Sequence, residues 1–286
     1  MSASLVDLRT HLHDDVLDHI ERRLDVRLDR PAGVYGNHGG TAGFRTDRET
    51  WLRVEWRPPD RADSPSWAGL EAAAAVQGVS KPDLLEALRW WDTRRDVVWR
   101  ADEMTLVPDA IVSMSGSVTS APELPHSWWQ TLKESLDALA AHKTVRVGMR
   151  QAHFTRRITE VFGTDVDTTI DEWTTAHADL HWGNLTAPRC WLLDWEDWGA
   201  GPRGLDAATL WGFSLGAPDL ADRVQAEFGA DLQTRSGKLA QLLFCANALR
   251  AHARNSKAMP FTEPAREAAE ALIDDLKTGA ETPDQD

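Results

Sequence analysis

Apolar residues recur at helical spacing at the start of the chain and then give way to short runs without that period. The first set predicts an amphipathic helix over about residues 4–24 and comprises Leu5, Leu8, Leu12, Val16 and Ile20. The stretch that follows, residues 28–56, is rich in glycine at its centre and has short apolar runs on either side. This pattern predicts a β-hairpin.

The last arm of this hairpin is predicted to be a strand over residues 51–56. Leu52, Val54 and Trp56 alternate with polar or bulky neighbours, as expected when one face of a strand is buried. Arg53 therefore faces away from Val54.

Three further elements are predicted before the middle of the chain. The alanine-rich segment 67–77 has strong helix propensity and carries Glu71. Residues 83–91 also have a helical composition, whereas the β-branched residues of segment 97–107 predict another hairpin.

A segment rich in serine and proline, residues 108–125, separates these elements from a half in which helical patterns dominate. The order of elements predicts an α+β fold with two lobes. We expect a small β-rich N-terminal lobe over residues 1–112 and a larger helical C-terminal lobe over residues 113–286. The last residues, 279–286, are expected to form a disordered tail.

Charge and composition narrow the function classes. The 286 residues carry 31 Lys and Arg against 45 Asp and Glu, a formal net charge of −14, which disfavours a nucleic-acid partner because phosphate binding normally needs a basic face. We predict no membrane association, because no apolar run approaches the ~18 residues of a membrane span. The two cysteines, Cys190 and Cys245, show no metal-ligand spacing and no disulfide framework, so we expect a cytoplasmic protein.

The candidate chemistry lies in one segment. Residues 177–184 read HADLHWGN, which has the form H-x-D-x-x-x-x-N, and Asp194 follows at the end of an apolar run. Phosphoryl transfer needs accurate positioning and charge neutralisation rather than covalent chemistry by the protein. One carboxylate that orients a hydroxyl, together with an Asn oxygen and a second carboxylate that hold Mg²⁺, would supply both.

These residues resemble the aminoglycoside phosphotransferase family and its choline-kinase-like relatives, which share a protein-kinase-like fold. HADLHWGN is similar to the family's HGDLHPGN loop, and the segment LLDWEDWGAGPRGLDAATLW contains its DWE, GPR and LD-A elements in order. The strong resemblance covers about residues 175–212. It implies ATP or GTP as co-substrate and Mg²⁺ as cofactor.

The resemblance also assigns roles. Asp179 is similar to the catalytic base, and Asn184 and Asp194 are similar to the metal ligands. Arg53 occupies the place of the family's strand lysine, which binds the nucleotide phosphates, and Glu71 resembles the helix glutamate that pairs with that cation.

Two more residues are expected to be structural. His177 is expected to brace the catalytic loop, and Asp206 to anchor the segment after the metal motif. Ala178 and Trp182 stand where the family more commonly has Gly and Pro.

The sequence leaves three functions open. The first is transfer of a γ-phosphoryl group to a hydroxyl of a small molecule, such as an antibiotic, an amino alcohol or a sugar. The second is a peptide Ser/Thr kinase in natural-product biosynthesis. The third is a pseudokinase that serves as a binding or scaffolding module, suggested by the absence of the strand lysine and by Trp51 beside the expected adenine position.

The acceptor could be cationic. An acidic cluster shortly before the catalytic loop would form a cation-binding lip if its carboxylates were free, although an ordinary solvated acidic face is the simpler interpretation. Its members are Asp165, Asp167, Asp171 and Glu172.

Overall fold

The structure is a computed structural model that describes residues 6–10, 13–36, 39–255 and 258–280. The chain separates into two compact units, one built from residues up to 75 and 81–108, the other from residues 76–80 and 109 onward. The division thus falls after Pro108, whereas the sequence suggested one after residue 112.

The first unit is built on an antiparallel sheet in the order β1-β2-β3-β5-β4. Its strands are β1 (Val34–Tyr35), β2 (Thr41–Arg45), β3 (Thr50–Arg57), β4 (Leu84–Asp92) and β5 (Val97–Thr105). One face of the sheet packs on helix α1 (Asp14–Leu24), with Ile20, Phe44 and Trp99 among the buried side chains. The predicted hairpin is β2–β3, and Leu52 and Val54 face this core as the alternation predicted.

The structure corrects three local predictions in this unit. Residues 83–91 are not helical but belong to strand β4, where Trp90 lies opposite Trp99 and stacks on it. Cross-strand pairing with β5 thus overrides the helix propensity of the segment. The helix predicted over 67–77 is confined to α2 (Gly69–Ala73), and the helix predicted over 4–24 begins at Asp14, with residues 1–5 and 11–12 outside the described residues.

The second unit is mainly helical, as the periodicity predicted. Its helices are α3 (His126–Ala141), α4 (Gln151–Phe162), α5 (Leu205–Ser214), α6 (Pro218–Leu232), α7 (Arg235–Asn255) and α8 (Thr262–Ala280). Short strands connect them: β6 (Ala110–Ile111) pairs with β8 (Thr186–Ala187), and β7 (Trp173–Ala176) pairs with β9 (Gly199–Pro202). The helix α8 includes residues 279–280 of the predicted tail, and residues 281–286 lie outside the described residues.

Helix α7 occupies the centre of the second unit, since most of its residues between Ser236 and Leu249 are buried. It packs against α4, α5, α6 and α8. Within the described residues no helix combines the length and the apolar character that crossing a membrane requires.

Both cysteines are free and buried in this unit. Burial raises the pKa of Cys190 and that of Cys245 to about 12. The thiolate is the reactive form, so neither side chain is suited to nucleophilic chemistry in the folded protein.

We therefore expect neither thiol to react with a disulfide reagent at pH 8 in the native protein, and both to react after unfolding in guanidinium. Titration of free thiols before and after denaturation measures this. Rapid labelling of one thiol in the native protein would contradict the burial seen here.

Candidate active site

The loop that follows β7 is held by a carboxylate from the first turn of α5. Asp206 is buried and accepts hydrogen bonds from the backbone N–H of His177 at 2.7 Å and of Ala178 at 2.8 Å. Burial raises the pKa of Asp206, while the His177 charge and the two backbone bonds lower it. The sequence assigned Asp206 to the segment after the metal motif, but the structure uses it to anchor the catalytic loop.

Ala178 explains why the loop needs such an anchor. Its φ of 67° lies in the left-handed region, which is unfavourable for a residue with a Cβ by about 1–2 kcal/mol. Two hydrogen bonds to a buried carboxylate offset that strain. The family's usual glycine at this position would adopt the same conformation without strain.

His177 connects the loop to the chain that carries Asp194. Its ring is fully buried, its Nε2 lies 2.8 Å from the Leu193 carbonyl oxygen, and its edge packs against Trp195. The carbonyl accepts, so Nε2 carries the proton in this arrangement. The geometry supports a bracing role for His177, as expected from the sequence.

Asp179 and Asn184 converge at the far side of the same loop. The Asn184 Nδ2 donates to the Asp179 carbonyl oxygen at 2.9 Å and approaches the Asp179 Oδ2 at 3.3 Å. Because these contacts take up the amide nitrogen, the amide oxygen is the atom that can serve as a metal ligand.

Asp194 is tied to Asn184 through the backbone. The Leu193 N–H donates to the Asn184 carbonyl at 2.8 Å, and Leu185 forms a bridge with Leu192. The two proposed ligands therefore lie on adjacent arms of a short hairpin. Amide and carboxylate oxygens are donors that Mg²⁺ accepts, so this donor set fits the ion that the resemblance implies.

The pKa of Asp179 is shifted by the histidines and carboxylates around it. Its side chain is about half exposed, at 52%, and its carboxylate lies 3.8 Å from the His181 Nε2. Burial raises the pKa of Asp179; His181 and His177 lower it, and Asp194 and Asp197 raise it further. A bound divalent cation would reduce the repulsion among these carboxylates.

Sequence reasoning missed Arg146, which fixes the segment after Asp194. Its Nε donates to the Trp198 carbonyl at 3.0 Å, its Nη2 donates to the Glu196 carbonyl at 2.8 Å, and its guanidinium lies 5.0 Å from the Trp198 ring centre. Gly199 is required here, because a Cβ would lie 2.6 Å from the backbone nitrogen of Gly148. No local pattern marks Arg146, which is separated from Glu196 by 50 residues.

Trp182, which stands where the family more commonly has proline, is packed into the interior of the second unit. The indole is fully buried, stacks on Trp128 and donates from Nε1 to the Ser214 Oγ at 2.9 Å. The Trp128 Nε1 in turn donates to the Thr186 carbonyl at 2.7 Å. Bulky aromatic packing thus holds the middle of the loop where the family more commonly has proline.

The candidate residues of the first unit are arranged differently from the prediction. Glu71 is 55% exposed in its side chain and pairs with Arg89 at 2.8 Å, whereas Arg53 lies 3.6 Å from Glu55. The predicted Arg53–Glu71 pair is not formed between these two described residues. The cation that pairs with Glu71 is therefore Arg89 on strand β4, and not Arg53.

The indole of Trp51, on β3, lies over Gly43 of the neighbouring strand β2. A Cβ on Gly43 would fall 2.1 Å from the Trp51 ring, so a glycine is needed at that position of β2. The indole thus covers the sheet beside Arg53.

The acidic cluster before the catalytic loop is paired with cations of its own unit. Asp167 and Asp171 lie 3.1 Å and 3.7 Å from Arg235, and Glu172 lies 2.8 Å from Arg203. Asp165 reaches Lys277 at 4.0 Å. These carboxylates are compensated locally and do not form the free cation-binding lip that the sequence suggested.

Comparison with known proteins shows the fold. No protein-family model and no curated protein matches the sequence. Among solved structures, a thermostable mutant of aminoglycoside phosphotransferase APH(4)-Ia, in ternary complex with ADP and hygromycin B, matches with a TM-score of 0.55 at 13% identity, covering 94% of this chain and 100% of that one.

Two further structures agree with it. The amicoumacin kinase hAmiN, in complex with AMP-PNP, Ca²⁺ and Ami, gives a TM-score of 0.54 at 10% identity over 92% of this chain and 96% of its own. The choline kinase LicA from Streptococcus pneumoniae gives 0.52 at 11% identity over 94% and 100%. The chain therefore has the protein-kinase-like fold of small-molecule kinases, as the sequence predicted.

Replacing Asp206 by Asn tests the anchor of the loop. One amide oxygen cannot accept both backbone N–H groups with the strength of a carboxylate, so we expect the free energy of unfolding to fall by about 2–3 kcal/mol. Urea denaturation measures this loss. Asp222→Asn, at an exposed position of α6, is the control, and equal stability of the two variants would argue against the anchor.

Replacing Arg146 by Ala should disturb the arm that carries Asp194. Residues that orient metal-binding segments from outside typically affect metal affinity by about tenfold or more. If Asp194 binds Mg²⁺ as the resemblance implies, the Mg²⁺ concentration needed for half-maximal thermal stabilisation by ATP should rise by that order, with partial recovery in Arg146→Lys. An unchanged Mg²⁺ dependence would limit Arg146 to a role in folding.

Proposed function

We propose that this protein is a magnesium-dependent phosphotransferase that moves the γ-phosphoryl group of ATP to a hydroxyl of a small molecule. One observation carries the proposal. Asp179 and Asn184 meet across a hydrogen bond that leaves the Asn184 oxygen available, and a backbone bond places Asp194 on the adjacent arm.

Each residue has a distinct task in this reaction. Asp179 orients the acceptor hydroxyl and receives its proton as the acceptor oxygen forms a bond to the γ-phosphorus. The bond between the γ-phosphorus and the bridging oxygen breaks, and ADP leaves. Asn184 and Asp194 would hold Mg²⁺, which neutralises charge on the phosphate oxygens when bound.

The acceptor class follows from the neighbours and from the loop. The aminoglycoside phosphotransferase structure contains hygromycin B, and the kinase hAmiN contains Ami, so small-molecule acceptors support the same class here. An antibiotic, an amino alcohol or a sugar fits this proposal. With Asp194 assigned to the metal, the carboxylates of Asp179 and Asp197 favour a cationic acceptor, whereas the paired acidic cluster does not.

We further assign the nucleotide phosphates to Arg53, on the strand position predicted from the sequence. ATP is the proposed donor, and GTP is the alternative that a parallel titration tests. Two buried free cysteines support the predicted cytoplasmic location, where thiols stay reduced.

Neutralising Asp179 and neutralising Asp194 should have different effects on nucleotide binding and turnover. Asp179→Asn keeps the shape of the side chain and leaves Asn184 and Asp194 in place. We expect nearly unchanged Mg·ATP affinity and a kcat, measured as acceptor-dependent ADP release or slow ATP hydrolysis, that is lower by ~10²–10⁴. Asp194→Asn removes a charged ligand and should weaken Mg²⁺-dependent nucleotide binding as well as turnover.

Asp222→Asn serves as the control for both variants, since its carboxylate lies on α6 and is exposed. Calorimetry with ATP and Mg²⁺ separates binding from turnover. A wild-type protein that binds nucleotide but shows neither transfer to a panel of hydroxyl compounds nor ATP hydrolysis would instead indicate a binding module. Equal loss of Mg·ATP binding in both variants would show that the two roles are wrongly assigned.

A further inference from the structure

Four charged side chains alternate on the face of the first unit's sheet that lies opposite its hydrophobic core. Arg53 and Glu55 lie on β3, and their partners across the ladder to β5 are Asp102 and Arg100, respectively. Each charge therefore has an opposite charge both along its own strand and across to the next strand. We call these four residues the charge square.

Three of the four side chains of the charge square are nearly fully buried. The Arg100 Nε lies 2.6 Å from the Asp102 Oδ2, and the two side chains are only 1% and 2% exposed. Glu55 is 6% exposed and Arg53 is 22% exposed, with 3.6 Å between the Arg53 Nη2 and the Glu55 Oε2. Arg53 is thus the member of the square that is most accessible to solvent.

Burial makes the arrangement restrictive. A buried charge without an opposite partner is strongly destabilising, so each side chain of the square is confined to orientations that keep its neighbours compensated. Burial raises the pKa of Asp102, Arg100 lowers it, Glu55 raises it and Arg53 lowers it. The other three residues of the square thus each act on the Asp102 carboxyl group.

The helix glutamate expected to orient the strand cation is directed elsewhere, since Glu71 pairs with Arg89 at 2.8 Å. An Arg in this place has a stricter requirement than a Lys, because its donors form a planar fork whose orientation decides which phosphate oxygens it can reach. Glu55, two residues further along the same strand, is a carboxylate within ion-pair distance of the Arg53 guanidinium.

We propose that Glu55 is the positioning residue for Arg53 and replaces the expected helix glutamate. The proposal rests on the proposed function, in which Arg53 meets the nucleotide phosphates. It assigns the orientation of the phosphate-binding cation to the sheet itself rather than to α2.

The direction in which nucleotide affinity changes when Glu55 is neutralised distinguishes a positioning role from simple competition with phosphate. If Glu55 only competed with phosphate for Arg53, its neutralisation would strengthen nucleotide binding, because a nearby negative charge would be removed. If Glu55 positions Arg53, its neutralisation releases the guanidinium and binding weakens. Glu55→Gln keeps the size of the side chain, so packing changes little between the two cases.

We expect Glu55→Gln to weaken ATP binding by about tenfold in calorimetry, which corresponds to 1.4 kcal/mol. Glu86→Gln, at an exposed position of β4, is the control and should bind ATP like the wild type. In an Arg53→Ala background, Glu55→Gln should have no further effect on ATP affinity, because there is no guanidinium left to orient. Glu55→Asp, which retains the charge on a shorter side chain, should give an intermediate affinity.

Thermal unfolding of each ligand-free variant identifies folded proteins, and affinities are compared only among these. If Glu55→Gln does not fold, the comparison of Glu55→Asp in the wild-type and Arg53→Ala backgrounds gives the same test. Unchanged or tighter ATP binding in a folded Glu55 variant, or an equal loss in both backgrounds, would overturn the proposal. A wild-type protein that binds no nucleotide would instead overturn the proposed function, so the two failures are distinct.

Discussion

The candidate active site depends on one buried carboxylate that binds two consecutive backbone N–H groups. Asp206 holds His177 and Ala178, and Ala178 adopts a left-handed conformation that an alanine disfavours. Because the backbone turns at Ala178, the conformation of this residue sets the orientation of Asp179, which follows it. The carboxylate belongs to α5, so the start of the loop takes its position from the helical core.

From that anchor the other contacts extend the same rigid framework. His177 reaches the Leu193 carbonyl, the Leu193 N–H reaches Asn184, and Arg146 fixes the two carbonyls that follow Asp194. Most of these bonds use backbone groups, which depend on the path of the chain more than on side-chain identity.

Local sequence spacing was sufficient for the part of the site that is local in the chain. Asp179 and Asn184 are five residues apart on one loop, so their identity and spacing already predicted their proximity. Arg146 could not be found in this way, because its partners lie on a distant segment and are backbone carbonyls, which carry no sequence signal. The segment 83–91 was predicted wrongly for a related reason: its side chains favour a helix, and only the pairing with β5 makes it a strand.

On the proposed function, Arg53 in the first unit would take the role that a lysine has in the resembling family. A lysine ammonium is a compact charge that one mobile carboxylate can balance, whereas a guanidinium needs its plane to be defined. Strand neighbours define a plane better than a five-residue helix does, because the ladder fixes their separation on both sides. A cation oriented by its own sheet is preorganised, and a preorganised donor loses less conformational entropy when phosphate arrives. On the proposed function, nucleotide binding would then not depend on movement of α2 toward the sheet, which is the step that a helix-borne glutamate would impose.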